Sequence, residues 1–168
     1  SREHGEVQRF YKVLSDPRFQ EHLRRIGEHE AGRKFCGHDE QHLLDTARIA
    51  WILVLEEGLD FPRETVYTAA FLHDIGRWRE YEEPQEDHAA AGAVLARPLL
   101  RAAGFSKAET ETITAAIAGH RLPPERCTTP LGRILAAADD LSRRCFACDV
   151  SAECHKYRRM PARDKPLY

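Results

Sequence analysis

The chain has no long apolar run, so no part of its 168 residues is expected to span a membrane. It carries no excess of either charge. Lys and Arg number 25 against 27 Asp and Glu, and the net charge of −2 offers no basic face for nucleic acid or an anionic membrane. No stretch alternates with period two, which argues against a sheet of consequence. Internal repeats and low-complexity tracts are also missing. No charged-then-apolar leader opens the chain. Without such a signal, its five Cys read as reduced thiols in a cytoplasm rather than a disulfide framework. The length suits one domain with a proper core.

What is present is helix punctuation. Asp16-Pro17 supplies an N-cap and an N1 proline for a helix running towards Gly27. Asp39 caps a helix that stops near Gly58. Pro62 opens one that ends at His73-Asp74, with Gly76 as its breaker. Arg77 to Glu86 reads as a polar loop. Asp87 caps the next helix, which Pro98 should kink or split. Ser106 and Glu109 form a capping box for a helix ending at Gly119. A proline-rich loop from Pro123 to Pro130 leads into a last helix, and residues 160–168 should be loosely ordered.

Onto these helices the chain places polar groups where apolar ones belong. His73-Asp74 ends a stripe of Val66, Ala69 and Ala70. His42 shares a face with Ile49 and Leu53, and His88 with Ala91, Gly92, Leu95 and Leu99. His120 closes Ile113, Ala116 and Ile117, and Asp139 follows Leu135 by one turn. Residues three or four apart share a helix face, so imidazoles and carboxylates from five segments point into one interior. A buried carboxylate beside a histidine is costly unless something compensates, and a metal ion is the usual compensation. Nitrogen and oxygen ligands together suit Fe, Mn, Zn or Co.

The words that carry these residues are GHDEQHLLDTARIAW, AAFLHDIGRW, EDHAAAGAVLA, AIAGHR and LAAADDLSRRC. In order and rough spacing they resemble the HD-domain superfamily of metal-dependent phosphohydrolases over about residues 30–145. The resemblance implies an all-α helical bundle with the metal site in its core. Residues 1–29 would be N-terminal helices packing on the domain, and 146–168 a Cys-containing extension. It implies a minimal site of His42, His73, Asp74 and Asp139 around one divalent ion, Fe or Mn before Zn, Co or Ni. His88 and His120 stand where some members bind a second ion bridged by the Asp of the HD pair; beside a single metal they would instead support ligands or touch substrate. Metal-activated hydroxide would then attack phosphorus, with Asp74 or Asp140 orienting the water. Asp140 is expected to face away, one residue off the stripe.

Arg77 matches a place where many members carry Lys or Arg. It is the first candidate for substrate phosphate and a catalytic role, followed by Arg121 and Arg33. The expected substrate is a small phosphorylated metabolite of the nucleotide kind, since the ligand pattern looks like that of bacterial enzymes splitting dinucleoside polyphosphates. A di-iron oxygenase of the same fold and a non-catalytic binding module stay open. Trp78 and Tyr81 are candidates for stacking on a base, for a homodimer contact, or for ordinary packing.

Cys145-x-x-Cys148, then Cys154-His155, form a second unusual group. C-x-x-C is a chelating spacing, and three thiols with an imidazole within eleven residues can close a tetrahedral zinc site. An iron–sulfur cluster with Cys36 or Cys127 as fourth ligand is the other metal reading. Plain packing of small apolar thiols is the third.

Overall fold

The computed structural model describes residues 6–168, and among these there are α-helices, 3-10 turns and no strand. In chain order the helices are α1 (Gln8–Ser15), α2 (Pro17–Glu30), α3 (Glu40–Glu57), α4 (Arg63–Leu72), α5 (Arg77–Glu82), α6 (His88–Ala103), α7 (Lys107–Gly119) and α8 (Pro130–Leu141). Three 3-10 turns follow α8, at Cys145–Ala147, Ser151–Glu153 and Tyr157–Arg159. Among the described residues, no helix is long and apolar enough to cross a membrane.

The caps act where the sequence puts them. The Asp39 carboxylate accepts from His42 N at 2.9 Å, and Gly58 ends α3 with φ of 65°. Asp16, Asp87 and Thr129 cap α2, α6 and α8, and the Ser106–Glu109 capping box starts α7. With its ends fixed, each helix turns its apolar face inward. Leu43, Leu72, Ile113, Ile117, Leu131, Ile134 and Leu135 are fully buried in one core shared by α3, α4, α7 and α8. Phe10, Val13 and Phe19 of α1 and α2 belong to the same core, with the Phe10 ring edge-on to Phe71 at 5.1 Å.

Three expectations change. Arg77 to Glu82 is helix, not loop, because α2 anchors it from outside: Trp78 Nε1 donates to His22 Nδ1 at 3.1 Å, and the Tyr81 hydroxyl donates to Glu30. Pro98 does not split α6. The carbonyl that loses its donor is that of Val94, a residue 62% exposed, where water can serve it. Within 160–168, Met160 and Ala162 are buried, so part of this tail is packed.

Candidate metal centre

All six expected donors meet, and they meet at helix ends rather than along helix middles. His42 lies in the first turn of α3 and His88 opens α6. His73 and His120 are the C-cap residues of α4 and α7, and Asp139 sits in the last turn of α8. Three helix C-termini and two N-termini therefore converge, the negative C-terminal ends favouring a cation and the N-terminal ends offsetting part of that effect.

The donor atoms form two groups within 4.8 Å, His42–His73–Asp74–Asp139 and Asp74–His88–His120. Asp74 belongs to both through different oxygens. Its Oδ2 lies 3.4 Å from His42 Nε2 and 3.1 Å from His73 Nε2, while Oδ1 lies 3.9 Å from His120 Nε2. Asp139 Oδ1 completes the first group, 2.9 Å from His42 Nε2 and 3.7 Å from His73 Nε2. The imidazoles are at most 6% exposed, whereas Asp139 is 22% exposed and marks the open side.

Around each imidazole the outer nitrogen is occupied and the inner one is bare. His73 Nδ1 donates to the Ala70 carbonyl at 2.5 Å and His120 Nδ1 to the Ile117 carbonyl at 2.6 Å. These are carbonyls of the last helical turn, whose backbone donor, the N–H of the same histidine, is a long 3.4 Å away. His88 Nδ1 donates to Glu80 at 2.6 Å. His42 Nδ1 faces Ser142 Oγ at 3.3 Å, whose hydroxyl donates to the Asp139 carbonyl at 2.7 Å. With the proton held at Nδ1, Nε2 keeps a lone pair for a metal. The Nε2 atoms of His42, His73 and His120, with Asp74 Oδ2, are buried without a hydrogen-bond partner. Such orphaned atoms are expensive unless a cation receives them. The donor set fits one or two divalent transition-metal ions.

The electrostatics agree. Burial pulls the His73 imidazole down, but the Asp74 and Asp139 carboxylates outweigh it and hold it up at about 10. Both carboxylates resist burial and lie well below their ordinary range because of the imidazoles, with Arg77 adding to the effect on Asp74. His120, desolvated and beside His73, falls to about 4. In this pocket the two carboxylates are met by a protonated His73 and by Arg77, and a bound cation would take over the charge that His73 supplies.

Two openings lead to it. A cavity of about 330 Å³ is lined by Arg77, His88, His120, Arg121, Asp139 and Lys156 among others, and Arg159 also reaches it. A second, of about 180 Å³, is lined by Arg33, His38, Arg77, Asp139, Arg143 and Lys156 among others. Arg77 donates to Asp74 Oδ1 at 3.0 Å and faces both openings. Arg121 is tied to Glu80 and Asp87, and Arg33 to the Tyr81 hydroxyl, so each is held at a mouth rather than free. Asp140 does not face away: it lines both openings beside Asp139. Trp78 is turned from the site and clasped by His22 and Arg25, which removes it as a base-stacking platform.

Sequence reading missed three neighbours. Lys156, Arg159 and Arg143 bring cations from the end of the bundle and the tail, with no periodicity to reveal them. His38 is buried, donates to the Glu30 carboxylate from both its backbone N and its Nδ1, and lines the smaller opening. The sequence marks it only as part of a pre-helical loop, next to the capping Asp39, that could approach the site.

Residues 40–144, well over half of the chain, match the HD domain. The chain belongs to the HD domain family. An uncharacterised protein of Clostridium beijerinckii is 36% identical to this HD-domain chain over 149 residues, 89% of it and 92% of the relative. Ribonuclease Y of Salinispora arenicola is 38% identical over 87 residues, 51% of this chain and only 13% of that protein. The crystal structure of a predicted HD superfamily hydrolase from an uncultured Thermotogales bacterium superposes with a TM-score of 0.57. That match has 31% identity and covers 74% of this chain and 68% of the other.

Proposed function

We propose that this HD-domain protein is a metal-dependent phosphohydrolase that cleaves a phosphoester or phosphoanhydride bond of a small, nucleotide-like metabolite. The observation that carries the reading is the sharing of Asp74 between two donor groups beside a cavity ringed by Arg77, Arg121, Lys156 and Arg159. Divalent ions there supply an acidified water and a Lewis acid for the phosphoryl oxygens.

The chain's own residues do the rest. Arg77, pinned by Asp74 at one nitrogen, has its remaining donors free to hold phosphoryl oxygens and to stabilise the charge that develops on them. Lys156 and Arg159 neutralise further phosphate at the mouth. Asp140, beside Asp139 on the cavity wall, is placed to orient a water. His38, its Nδ1 held by Glu30 and its pKa lowered by burial, lines the smaller opening as a neutral imidazole that can accept a hydrogen bond from water or substrate. The 330 Å³ cavity suits a small molecule. The likeness to Ribonuclease Y, whose name assigns it a phosphodiester substrate, supports the bond class by analogy. The ligand pattern favours dinucleoside polyphosphates within that class.

The test is phosphate release from a panel of mononucleotides, dinucleoside polyphosphates and sugar phosphates. It is run on protein stripped by chelator and reloaded separately with Fe, Mn, Co, Ni or Zn. Activity should vanish on stripping and return with metal, and His73→Ala and Asp74→Ala should abolish it while circular dichroism stays helical. Undiminished turnover by folded, metal-free His73→Ala protein would sink the reading.

A further inference from the structure

The cysteines resolve into one outlier and one group. Cys127 lies apart, its thiol against the carbonyls of Gly119, Leu122 and Pro123. Cys36 comes from the segment between α2 and α3. Cys145, Cys148 and Cys154 come from the segment after α8, and all four line one cavity of about 370 Å³. None forms a disulfide. Burial raises the Cys145 thiol, and the other three thiols of the group add to that effect, as expected of a set that crowds one centre.

The surrounding chain needs such a centre. From Ser142 to Arg159 no residue is buried, and the backbone runs through three single 3-10 turns. Its ties to the bundle are few and exposed, among them Arg143 to the Gly37 carbonyl at 2.7 Å and the Lys34–Glu153 ion pair. A segment with so little apolar burial holds a fixed form when a cross-link supplies what a core cannot. Cysteines spaced x2 and x5 on successive turns, closed by a fourth from a distant loop, are a ligand arrangement rather than a packing one.

Spacing selects the occupant. Four thiolates on one zinc ion at 2.3 Å sit about 3.8 Å apart. Among the described residues, no three of these thiols lie within 4.8 Å of one another. A cluster core interposed between the thiolates keeps them further apart than a single ion does. We propose that Cys36, Cys145, Cys148 and Cys154 are the four thiolate ligands of an iron–sulfur cluster, a second inorganic centre beside the His/Asp site, whose smaller opening Cys36, Cys145 and Cys154 also line. Its cavity wall includes His42 and Ser142, so the two centres back onto the same end of α3 and α8. Ligation of a preformed cluster displaces four thiol protons and changes no oxidation state.

The test is acid-labile sulfide and iron in the full chain purified without oxygen, with its visible absorption spectrum. Sulfide is diagnostic because the His/Asp site holds none. About four sulfides per chain are expected for a [4Fe–4S] core. Cys36→Ser and Cys148→Ser should lower sulfide at least tenfold, whereas Cys127→Ser and His73→Ala should leave it unchanged. Cys36 lies outside the tail and is exposed, so its replacement separates lost ligation from lost folding. One zinc per chain without sulfide, lost with the same cysteines, overturns the cluster. Wild-type protein with neither sulfide nor thiol-dependent metal overturns the site altogether.

Discussion

At the residue scale the site is built by partners of the donors as much as by the donors. Each imidazole has its Nδ1 assigned, to Ala70, Ile117, Glu80 or Ser142. Two of these partners are backbone and cannot be removed by substitution; Glu80 and Ser142 can. Ser142→Ala frees the His42 ring to rotate and Glu80→Gln weakens the hold on His88, and losses of this kind typically cost 10–100-fold in metal affinity. Competition against a calibrated chelator should show that loss for each variant, with Ser142→Ala affecting the first ion bound and Glu80→Gln the second. Equal effects on a single ion would argue against two sites. Lys156 and Arg159 touch no donor, so Lys156→Ala and Arg159→Ala should each raise KM by about tenfold, a loss of about 1.4 kcal/mol of binding, with metal content unchanged. Steady-state kinetics beside elemental analysis checks both halves.

At the element scale the donors depend on how closely two segments approach. A Cβ on Gly76, which precedes α5, would lie 2.2 Å from the His88 carbonyl and 2.5 Å from Gly92 N. Gly76→Ala must therefore push the start of α6 away, and His88 with it. The expected cost is about 3 kcal/mol, with loss of the second ion before loss of fold, readable as a lower melting temperature and halved metal content. Here sequence and structure part company in an instructive way. Gly76 was legible as a breaker but not as a contact, because a breaker is a local property and a contact requires knowing which helix arrives opposite. The helices themselves and the six donors were legible, because caps and 3.6-residue spacing are local. Their meeting at helix ends was not, since a stripe gives a face but not a height along the axis. Asp140 was misplaced for the same reason: the last turn of α8 opens onto a cavity, so two neighbouring residues both reach it. The cations of the tail lie in irregular backbone, where no period exists to read.

At the scale of the whole molecule, one residue ties α1 to the bundle. Glu64, buried at the start of α4, accepts the backbone N–H of Arg9 at 2.9 Å and of Phe10 at 3.3 Å. It thus caps α1, whose own N-cap residue Val7 offers no side-chain bond. The Arg9 side chain answers Glu64 at 2.7 Å and reaches Glu109 of α7 through two bonds of 2.8 Å, lying over the Phe105 ring at 4.3 Å. Arg9→Ala removes these charge-assisted bonds but leaves the two backbone bonds to Glu64, so the loss should be about 2 kcal/mol. The same clamp sets an acid limb. Arg9 first, then the Ser106 backbone, holds the Glu109 carboxyl at about 2, below its ordinary 4.5. A carboxyl depressed on folding stabilises the native state above its unfolded pKa, and that contribution drains away as pH falls through the folded value. The window therefore lies between about 4.5 and 2. Since Arg9 and Glu109 are each about a third exposed, solvent screens part of the effect. Urea unfolding at a series of pH values should show stability falling across this window in the wild type. The slope should be shallower in Arg9→Ala and in Glu109→Gln, and no shallower in the double variant than in either single one, because one interaction underlies both. An additive double variant would mean that the acid limb belongs to other carboxylates and that the clamp is not what joins α1 to α4 and α7.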